Sequence, residues 1–178
     1  LPKILEITLN NGVDPRTGKK IGIETGDPRS FKSFDDLWSA FLAQIKHFMD
    51  IKMKGNDIIE SLYAKLFPVP FLSLWIEDCV KRARDYNNGG ARYNTQYIQL
   101  VGLGTVTDSL SAIKYHVFDR GTLSMEDLLK ALHNNWRGYE LVREILKNPE
   151  KTPKFGNDDD YADEIAKRLV DVLVEMIE

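Results

Sequence analysis

A glycine-rich stretch near the middle of the chain constrains the fold more than any other feature. It runs from Tyr86 to Leu110 and contains the turn signal Asn88-Gly89-Gly90. Glycine adopts a positive φ without steric penalty and asparagine tolerates one, so these three residues predict a turn. Residues Ala91 to Leu100 are rich in Tyr, Thr and Ile, which is typical of a β-strand. The sequence therefore predicts a turn followed by a strand.

A close passage of the backbone and a helix are predicted to follow the strand. Gly102 and Gly104 allow the backbone to approach a neighbouring element, because neither residue carries a Cβ atom. Thr107 or Asp108 is suited to cap the next helix. The apolar positions of that helix recur at helical spacing, at Leu110, Ile113 and Val117.

Helical periodicity dominates the remainder of the chain. Apolar residues recur every three or four positions in segments 34–49, 58–66, 72–83, 128–132, 141–146 and 165–177. Ser33 and Asp36 form a capping-box-like start to the first of them. Gly55-Asn56-Asp57 leaves open whether the first two segments form one long helix or two. The predicted fold class is therefore mainly α with a short β component.

Composition and charge limit the cellular setting and the partners. A chain of 178 residues, 43% of them hydrophobic, can bury one core and predicts a single domain. The net charge of −3 is spread along the chain without a basic cluster, so no nucleic-acid partner is expected. No apolar run approaches membrane-spanning length, so no membrane contact is expected. The single cysteine cannot form an internal disulfide, which favours a cytoplasmic location.

Three motifs look like ligand sites, and each is better explained by local structure. The Gly12–Lys20 segment has the wrong spacing for a phosphate-binding loop. The acidic run Asp158–Asp160 lacks the alternating spacing of a calcium loop and complements the dipole of the helix that follows. Gly102-Leu103-Gly104 lacks the third glycine of a dinucleotide fingerprint, because Thr107 stands in its place. We therefore predict no metal ligands and no bound cofactor in this chain.

Two runs in the central stretch resemble a known family. They are Asn-Gly-Gly-Ala-Arg-Tyr-Asn at 88–94 and Gly-Leu-Gly-Thr-Val-Thr-Asp-Ser-Leu-Ser-Ala-Ile-Lys at 102–114. Both resemble the glycyl radical enzymes of the pyruvate formate-lyase type, particularly the branch of dehydratases and lyases that includes glycerol and 4-hydroxyproline dehydratase relatives. The likeness extends from Leu1–Glu6 to Asn157–Ala162. Because those enzymes are several times longer, residues 1–178 are expected to be an internal segment of a pyruvate formate-lyase-like domain, with no separate domains.

The resemblance implies a place for the central stretch in a larger fold. The family fold is an α/β barrel of ten strands surrounded by helices, in which Ala91–Gln99 would be one strand. Alternate side chains of a barrel strand face the interior. The substrate-cavity candidates are therefore either Arg92, Asn94 and Gln96, or Tyr93, Thr95 and Tyr97. A shift of one residue exchanges the two sets, and the sequence does not choose between them. The alternative is that these polar side chains hold neighbouring loops by hydrogen bonds.

The two catalytic loops of the family have no counterpart in this sequence. The family's thiyl-forming cysteine lies in a Gly-Cys-Val-Glu type of loop, whereas Cys79 lies in Asp-Cys-Val-Lys within a predicted helix over Leu72–Arg84. Cys79 is therefore predicted to be buried and structural. The family's radical glycine follows an arginine by three residues, whereas Gly138 follows Arg137 directly and is predicted to mark a bend. No catalytic residue is predicted, and the isolated segment is expected to be inert.

For the longer enzyme, the resemblance implies radical chemistry on a small polar substrate. The expected reaction is that of a dehydratase, a lyase or a formate acetyltransferase in an anaerobic cell. The glycyl radical would be installed by an activating enzyme that uses S-adenosylmethionine, and a homodimer is expected. The alternative is a non-catalytic, mostly helical module for binding or subunit interaction. Exposed apolar surface distinguishes the two hypotheses, because a module would cover its own helical faces.

Overall fold

The computed structural model describes residues 1–95 and 97–177. Within these residues the chain is mainly α-helical and contains no β-strand, apart from one isolated antiparallel bridge between Val13 and Lys20. None of the described helices is both long enough and apolar enough to cross a membrane. The helices are α1 (Pro2–Thr8), α2 (Phe34–Leu66), α3 (Pro70–Ser73), α4 (Cys79–Arg82), α5 (Leu103–Ile113), α6 (Met125–His133), α7 (Glu140–Lys147) and α8 (Asp160–Ile177).

The helices are distributed over two compact units. Unit 1 comprises Leu1–His47 and Leu100–Glu178, and unit 2 comprises Phe48–Gln99. Helix α2 is a single helix of 33 residues that continues through Gly55, so the first part of it belongs to unit 1 and the second part to unit 2. The prediction of a mainly α fold is confirmed, whereas this segment alone forms no barrel.

The core of unit 1 is built around α5. Helix α5 packs against α8 and α1. Its fully buried residues Val106 and Leu110 share the core with Leu169 and Leu173 of α8 and with Phe41 of α2. A segment of π-helix, Lys114–Asp119, extends α5 directly.

A capping box begins α2. The Asp36 amide donates to Ser33 Oγ at 3.2 Å, and the Ser33 amide donates to Asp36 Oδ2 at 3.0 Å. These reciprocal bonds satisfy backbone donors at the start of the helix, where no carbonyl is available to them. The helix start predicted from Ser33 and Asp36 is confirmed.

The loop that follows α1 is fastened to α2 by one buried side chain. Gln44 is fully buried, its Oε1 accepts from the Ile23 amide at 3.1 Å, and its Nε2 donates to the Ile23 carbonyl at 2.5 Å. Gly22 leaves room for this amide, because a Cβ atom there would lie 2.4 Å from Gln44 Oε1. The side chain of Asn11 also accepts from the amides of Thr25 and Gly26.

The predicted strand is not formed. Residues 91–95 and 97–100 have no regular secondary structure. A β-strand is stable only when a neighbouring strand pairs with it, and no described residue offers one here. The strand prediction for Ala91–Leu100, and with it the barrel strand Ala91–Gln99, is therefore wrong for this chain as described.

Two helix predictions also need correction. The helix expected over Leu72–Arg84 is divided into α3 and α4: residues 74–78 between them form turns, and the last of these residues, Asp78, adopts a left-handed conformation with φ of 73°. Helix α5 begins at Leu103 and not at the predicted cap, Thr107 or Asp108. Its first residue follows Gly102, where φ is 83° and a Cβ atom would lie 2.6 Å from Pro2 Cδ, so the predicted close passage at Gly102 is confirmed.

Candidate functional site

The Asn-Gly-Gly turn of unit 2 is held by Asp85. Oδ2 of Asp85 accepts from the Val69 amide at 2.8 Å and from Ser73 Oγ at 2.9 Å, while Oδ1 accepts from the Asn87 amide at 2.9 Å. Partial burial raises the pKa of the Asp85 carboxyl, but these three hydrogen bonds lower it by more, so its pKa lies below the usual aspartate value. Asp85 therefore remains ionised and ties the turn to the start of α3.

The two glycines of the turn are required by its geometry. Gly89 has a φ of 71°, in the left-handed region that glycine adopts without penalty. At Gly90 a Cβ atom would lie 2.1 Å from the Arg84 carbonyl oxygen and 2.8 Å from that of Asp85. The Gly90 amide donates to the Asp85 carbonyl at 3.0 Å, so the backbone is folded tightly on itself. A side chain at position 90 would collide with the backbone of Arg84 and Asp85 and force the turn open.

An ion cluster lies directly after the turn. Arg92 Nε donates to Asp78 Oδ2 at 2.9 Å and Arg92 Nη2 donates to Asp78 Oδ1 at 3.2 Å. Nη2 of Arg92 is also 2.8 Å from Glu77 Oε1. The hydrogen bond from Arg92 is the main cause that holds the pKa of Asp78 below its usual value, with further contributions from the charges of Lys81 and Arg82. Asp78 and Arg92 therefore form an ionised pair near neutral pH.

The predicted substrate-cavity residues differ in their surroundings. Arg92 lies within the ion cluster, whereas Tyr93 and Tyr97 are each 83% exposed. Asn94 and Thr95 are exposed as well. Gln96 lies outside the described residues. The described segment does not gather these side chains into a concave site, and their contact with a substrate stays a prediction.

Cys79 and Gly138 occupy structural positions. The Cys79 thiol is 1% exposed at the first residue of α4, so its predicted burial is confirmed. Gly138 has a φ of 81° and lies between α6 and α7, as expected for a bend. Among residues 1–95 and 97–177, no three His, Cys, Asp or Glu side chains are placed to hold a metal ion.

A buried histidine network in unit 1 was not anticipated from the sequence. His116 Nε2 lies 2.8 Å from Thr152 Oγ1, and Thr152 Oγ1 donates to the Ile145 carbonyl at 2.8 Å. The Thr152 hydroxyl proton is donated to the Ile145 carbonyl, so Thr152 Oγ1 accepts the hydrogen bond from His116. The imidazole proton therefore lies on Nε2. Nδ1 of His116 then accepts from Thr122 Oγ1 at 2.9 Å. Burial, and after it the charge of Lys154, lowers the pKa of His116, so the imidazole is neutral.

Unit 1 also contains a large groove. It has a volume of about 1220 Å³ and is bounded by α1, α5, α6 and α7. Its apolar lining includes Leu5, Leu9, Ala112, Leu129, Leu132 and Trp136. No pattern in the sequence predicted it, because α1 is distant in the chain from α5, α6 and α7. The same is true of the Asp78–Arg92 and His116–Thr152 contacts, which join residues 14 and 36 positions apart. Only Asp85 offered a local signal, since aspartate two residues before a backbone donor is a common turn.

Known proteins resemble this chain over nearly its whole length. The pyruvate formate lyase-like family matches residues 1–178. Trans-4-hydroxy-L-proline dehydratase of Clostridioides difficile is 56% identical over 169 residues, which are 95% of this chain and 21% of that protein. The crystal structure of hydroxyproline dehydratase from Clostridioides difficile with trans-4-hydroxy-L-proline bound matches 98% of this chain and 22% of that one, with a TM-score of 0.94 and 54% identity.

A second solved structure supports the same relationship. The glycerol-bound form of the B12-independent glycerol dehydratase from Clostridium butyricum matches 97% of this chain and 21% of that one, with a TM-score of 0.89 and 35% identity. The chain thus spans about a fifth of the length of these relatives. Residues 1–178 therefore belong to the pyruvate formate lyase-like family of glycyl radical enzymes, near its dehydratase branch.

Proposed function

We propose that this chain is an internal segment of a glycyl radical dehydratase or lyase that acts on a small polar substrate. The observation that carries the proposal is the 56% identity to trans-4-hydroxy-L-proline dehydratase, sustained over 95% of the chain. Trans-4-hydroxy-L-proline is therefore the first substrate to test, followed by glycerol. The longer enzyme would be a cytoplasmic homodimer of an anaerobic cell, and an activating enzyme that uses S-adenosylmethionine would be its partner.

The exposed surface of unit 2 favours a segment over an independent module. Phe71 and Trp75, whose ring centroids are 6.2 Å apart, are 73% and 75% exposed. Ile58, Leu66 and Phe67 on and after α2 are exposed too. Proteins that exist alone rarely leave so many large apolar side chains in water. The non-catalytic module remains the second candidate, and it would need a partner to cover this surface.

The described residues do not fit the radical chemistry itself. Cys79 is buried and is followed by Val80 and Lys81, and Gly138 lies in a bend where its amide donates to Glu140 Oε1 at 3.0 Å. We therefore assign no chemical step to this segment and attribute both radical-bearing residues to the rest of the longer enzyme. The part proposed for this segment is to form the wall of the substrate cavity.

Six residues are the candidates for that wall, and one of their two alternating sets would face the cavity. They are Arg92, Tyr93, Asn94, Thr95, Gln96 and Tyr97. The support is chemical: the exposed amide, hydroxyl and phenol groups of this stretch can bind the hydroxyl of a polar substrate. Hydrogen bonding of neighbouring loops is the alternative role for the same groups.

The test uses the full-length enzyme under anaerobic conditions. The protein is treated with its activating enzyme, the glycyl radical is measured by electron paramagnetic resonance, and consumption of trans-4-hydroxy-L-proline and of glycerol is followed. Thr95→Ala is compared with Ser61→Ala, because both remove an exposed hydroxyl from unit 2. We expect a radical signal, turnover of one substrate, and a raised KM in Thr95→Ala alone. A full-length protein that forms no radical and turns over neither compound would favour the module.

A further inference from the structure

Arg92 differs from the other five proposed cavity residues because its charge is already neutralised within unit 2. Two of its nitrogens contact the two oxygens of Asp78, and one of them also contacts Glu77. A bidentate (two-pronged) contact is the strongest arrangement that a guanidinium and a carboxylate can form. Nε and Nη2 of Arg92 are thus engaged by two carboxylates, and the negative charge of these groups opposes the approach of a substrate carboxylate to the remaining Nη1 group.

Asp78 is placed unusually for an ion-pair partner. Its backbone is in the left-handed region, which is strained for a residue other than glycine, and its side chain is only 13% exposed. Lys81 Nζ and Arg82 Nη2 lie 3.7 and 3.8 Å from its oxygens. Three cations thus surround one carboxylate at the position where the chain turns into α4.

A second contact joins the same two parts of the chain. Arg82 Nη1 donates to the Ala91 carbonyl at 2.8 Å, and Ala91 is buried. The preceding residue, Gly90, lies directly against the Arg84 carbonyl. Residues 90, 91 and 92 are therefore each fixed to the region of α4, whereas the described residues after Arg92 are exposed as far as Tyr97.

We propose that the Asp78–Arg92 ion pair is a positioning contact that sets the direction in which residues 93–95 leave the Asn-Gly-Gly turn. Arg92 itself does not bind the substrate. This inference rests on the proposed function, because it concerns the stretch that is proposed to line the cavity. Under this inference Arg92 orients the stretch, and the residues that follow it contact the substrate.

The test is a double-mutant cycle in the full-length enzyme. The variants are Arg92→Gln, Asp78→Asn and both together. Arg84→Gln is the matched control, since Arg84 is an exposed neighbouring arginine for which the described residues provide no ion pair. Hydrogen exchange of the peptide spanning 91–101, radical content, and kcat and KM for trans-4-hydroxy-L-proline are measured for each.

A positioning role predicts one pattern of results. Arg92→Gln and Asp78→Asn should each accelerate exchange in 91–101 and lower kcat by about tenfold to a hundredfold, because a misplacement of ~1 Å can cost ~10²-fold in rate. KM should change by less than about threefold, and the double variant should be no worse than either single variant. Arg84→Gln should match the wild type.

Other patterns would overturn the proposal. A KM that rises in Arg92→Gln but not in Asp78→Asn would make Arg92 a substrate ligand. Unchanged hydrogen exchange in both single variants would remove the positioning role. If Arg92→Gln does not accumulate, Arg92→Lys keeps the charge, loses the two-pronged contact and is judged by the same criteria. If the wild type forms no radical, the proposed function fails, and hydrogen exchange still decides whether the ion pair fixes the segment.

Discussion

Gln44 and Gly22 form a pair whose energetic coupling follows from the structure. Replacing Gln44 with alanine removes both hydrogen bonds to the Ile23 backbone from a fully buried position. Each such bond contributes about 0.5–1.5 kcal/mol net, and backbone groups left unsatisfied cost more. Because Ile23 is partly exposed, water replaces some of the lost contact. We expect Gln44→Ala to reduce the free energy of opening the loop by about 2–3 kcal/mol.

Gly22→Ala acts on the same contact from the other side. The new Cβ atom would lie 2.4 Å from Gln44 Oε1 and 2.8 Å from Ile7 Cγ2, so both neighbours must move. Overpacking of this kind costs about 1–3 kcal/mol. When Gln44 is already alanine, only the contact with Ile7 remains. The double variant should therefore be more stable than the sum of the single variants predicts, by about 1 kcal/mol or more.

Hydrogen exchange of the peptide spanning 12–26 in the full-length protein measures this coupling. A change of ~1.4 kcal/mol in the local opening free energy alters the exchange rate about tenfold. Gly55→Ala is the control, because a Cβ atom there meets no neighbouring atom and alanine favours a helix. Effects that add within about 0.5 kcal/mol would refute the assignment of the Gln44 contact.

Three further predictions concern the core of unit 1. Leu110→Ala, at a fully buried position, should lower the free energy of unfolding by about 2.7–5 kcal/mol, whereas Leu141→Ala on an exposed position should change it by less than about 0.5 kcal/mol, as measured by denaturant unfolding. Thr107→Val should be neutral or stabilising, because the buried Thr107 Oγ1 has no hydrogen-bond partner among the described residues; a lower melting temperature would contradict this. His116 has a lowered pKa in the folded protein, so the unfolded chain binds the proton first and stability falls as the pH drops below about 6.5; His116→Asn should flatten that pH dependence of the melting temperature, and parallel curves would exclude the effect.

Local sequence signals predicted a helix start correctly where the capping residues bond to each other over a few positions. The start of α2 followed from Ser33 and Asp36, whose contacts span only three residues. The start of α5 was misplaced because Asp108 is engaged elsewhere: its Oδ1 accepts from the Phe155 amide at 2.9 Å. An aspartate that caps a helix and an aspartate that binds a distant loop cannot be told apart in the sequence. Only the fold distinguishes the two uses.

The candidate site was harder to predict than the helices. Tyrosine and threonine in 91–100 favour a strand only when another strand is adjacent, and strand propensity measures that packing more than the backbone itself. The ion pair at the start of this stretch joins Asp78 to Arg92, and neither residue carries a local sign of the other. The sequence pattern therefore groups Arg92 with the residues that follow it, whereas the structure places Arg92 against Asp78.

The uncovered aromatic surface of unit 2 bears on how the protein is made. Phe71, Trp75 and the apolar residues at the end of α2 remain in contact with water in this segment. During synthesis, such a surface remains exposed until the part of the polypeptide that would cover it has folded. Exposed apolar surface of this kind promotes aggregation. Production of the longer enzyme should therefore depend on chaperones that shield nascent chains, and 178 residues expressed alone should collect in inclusion bodies.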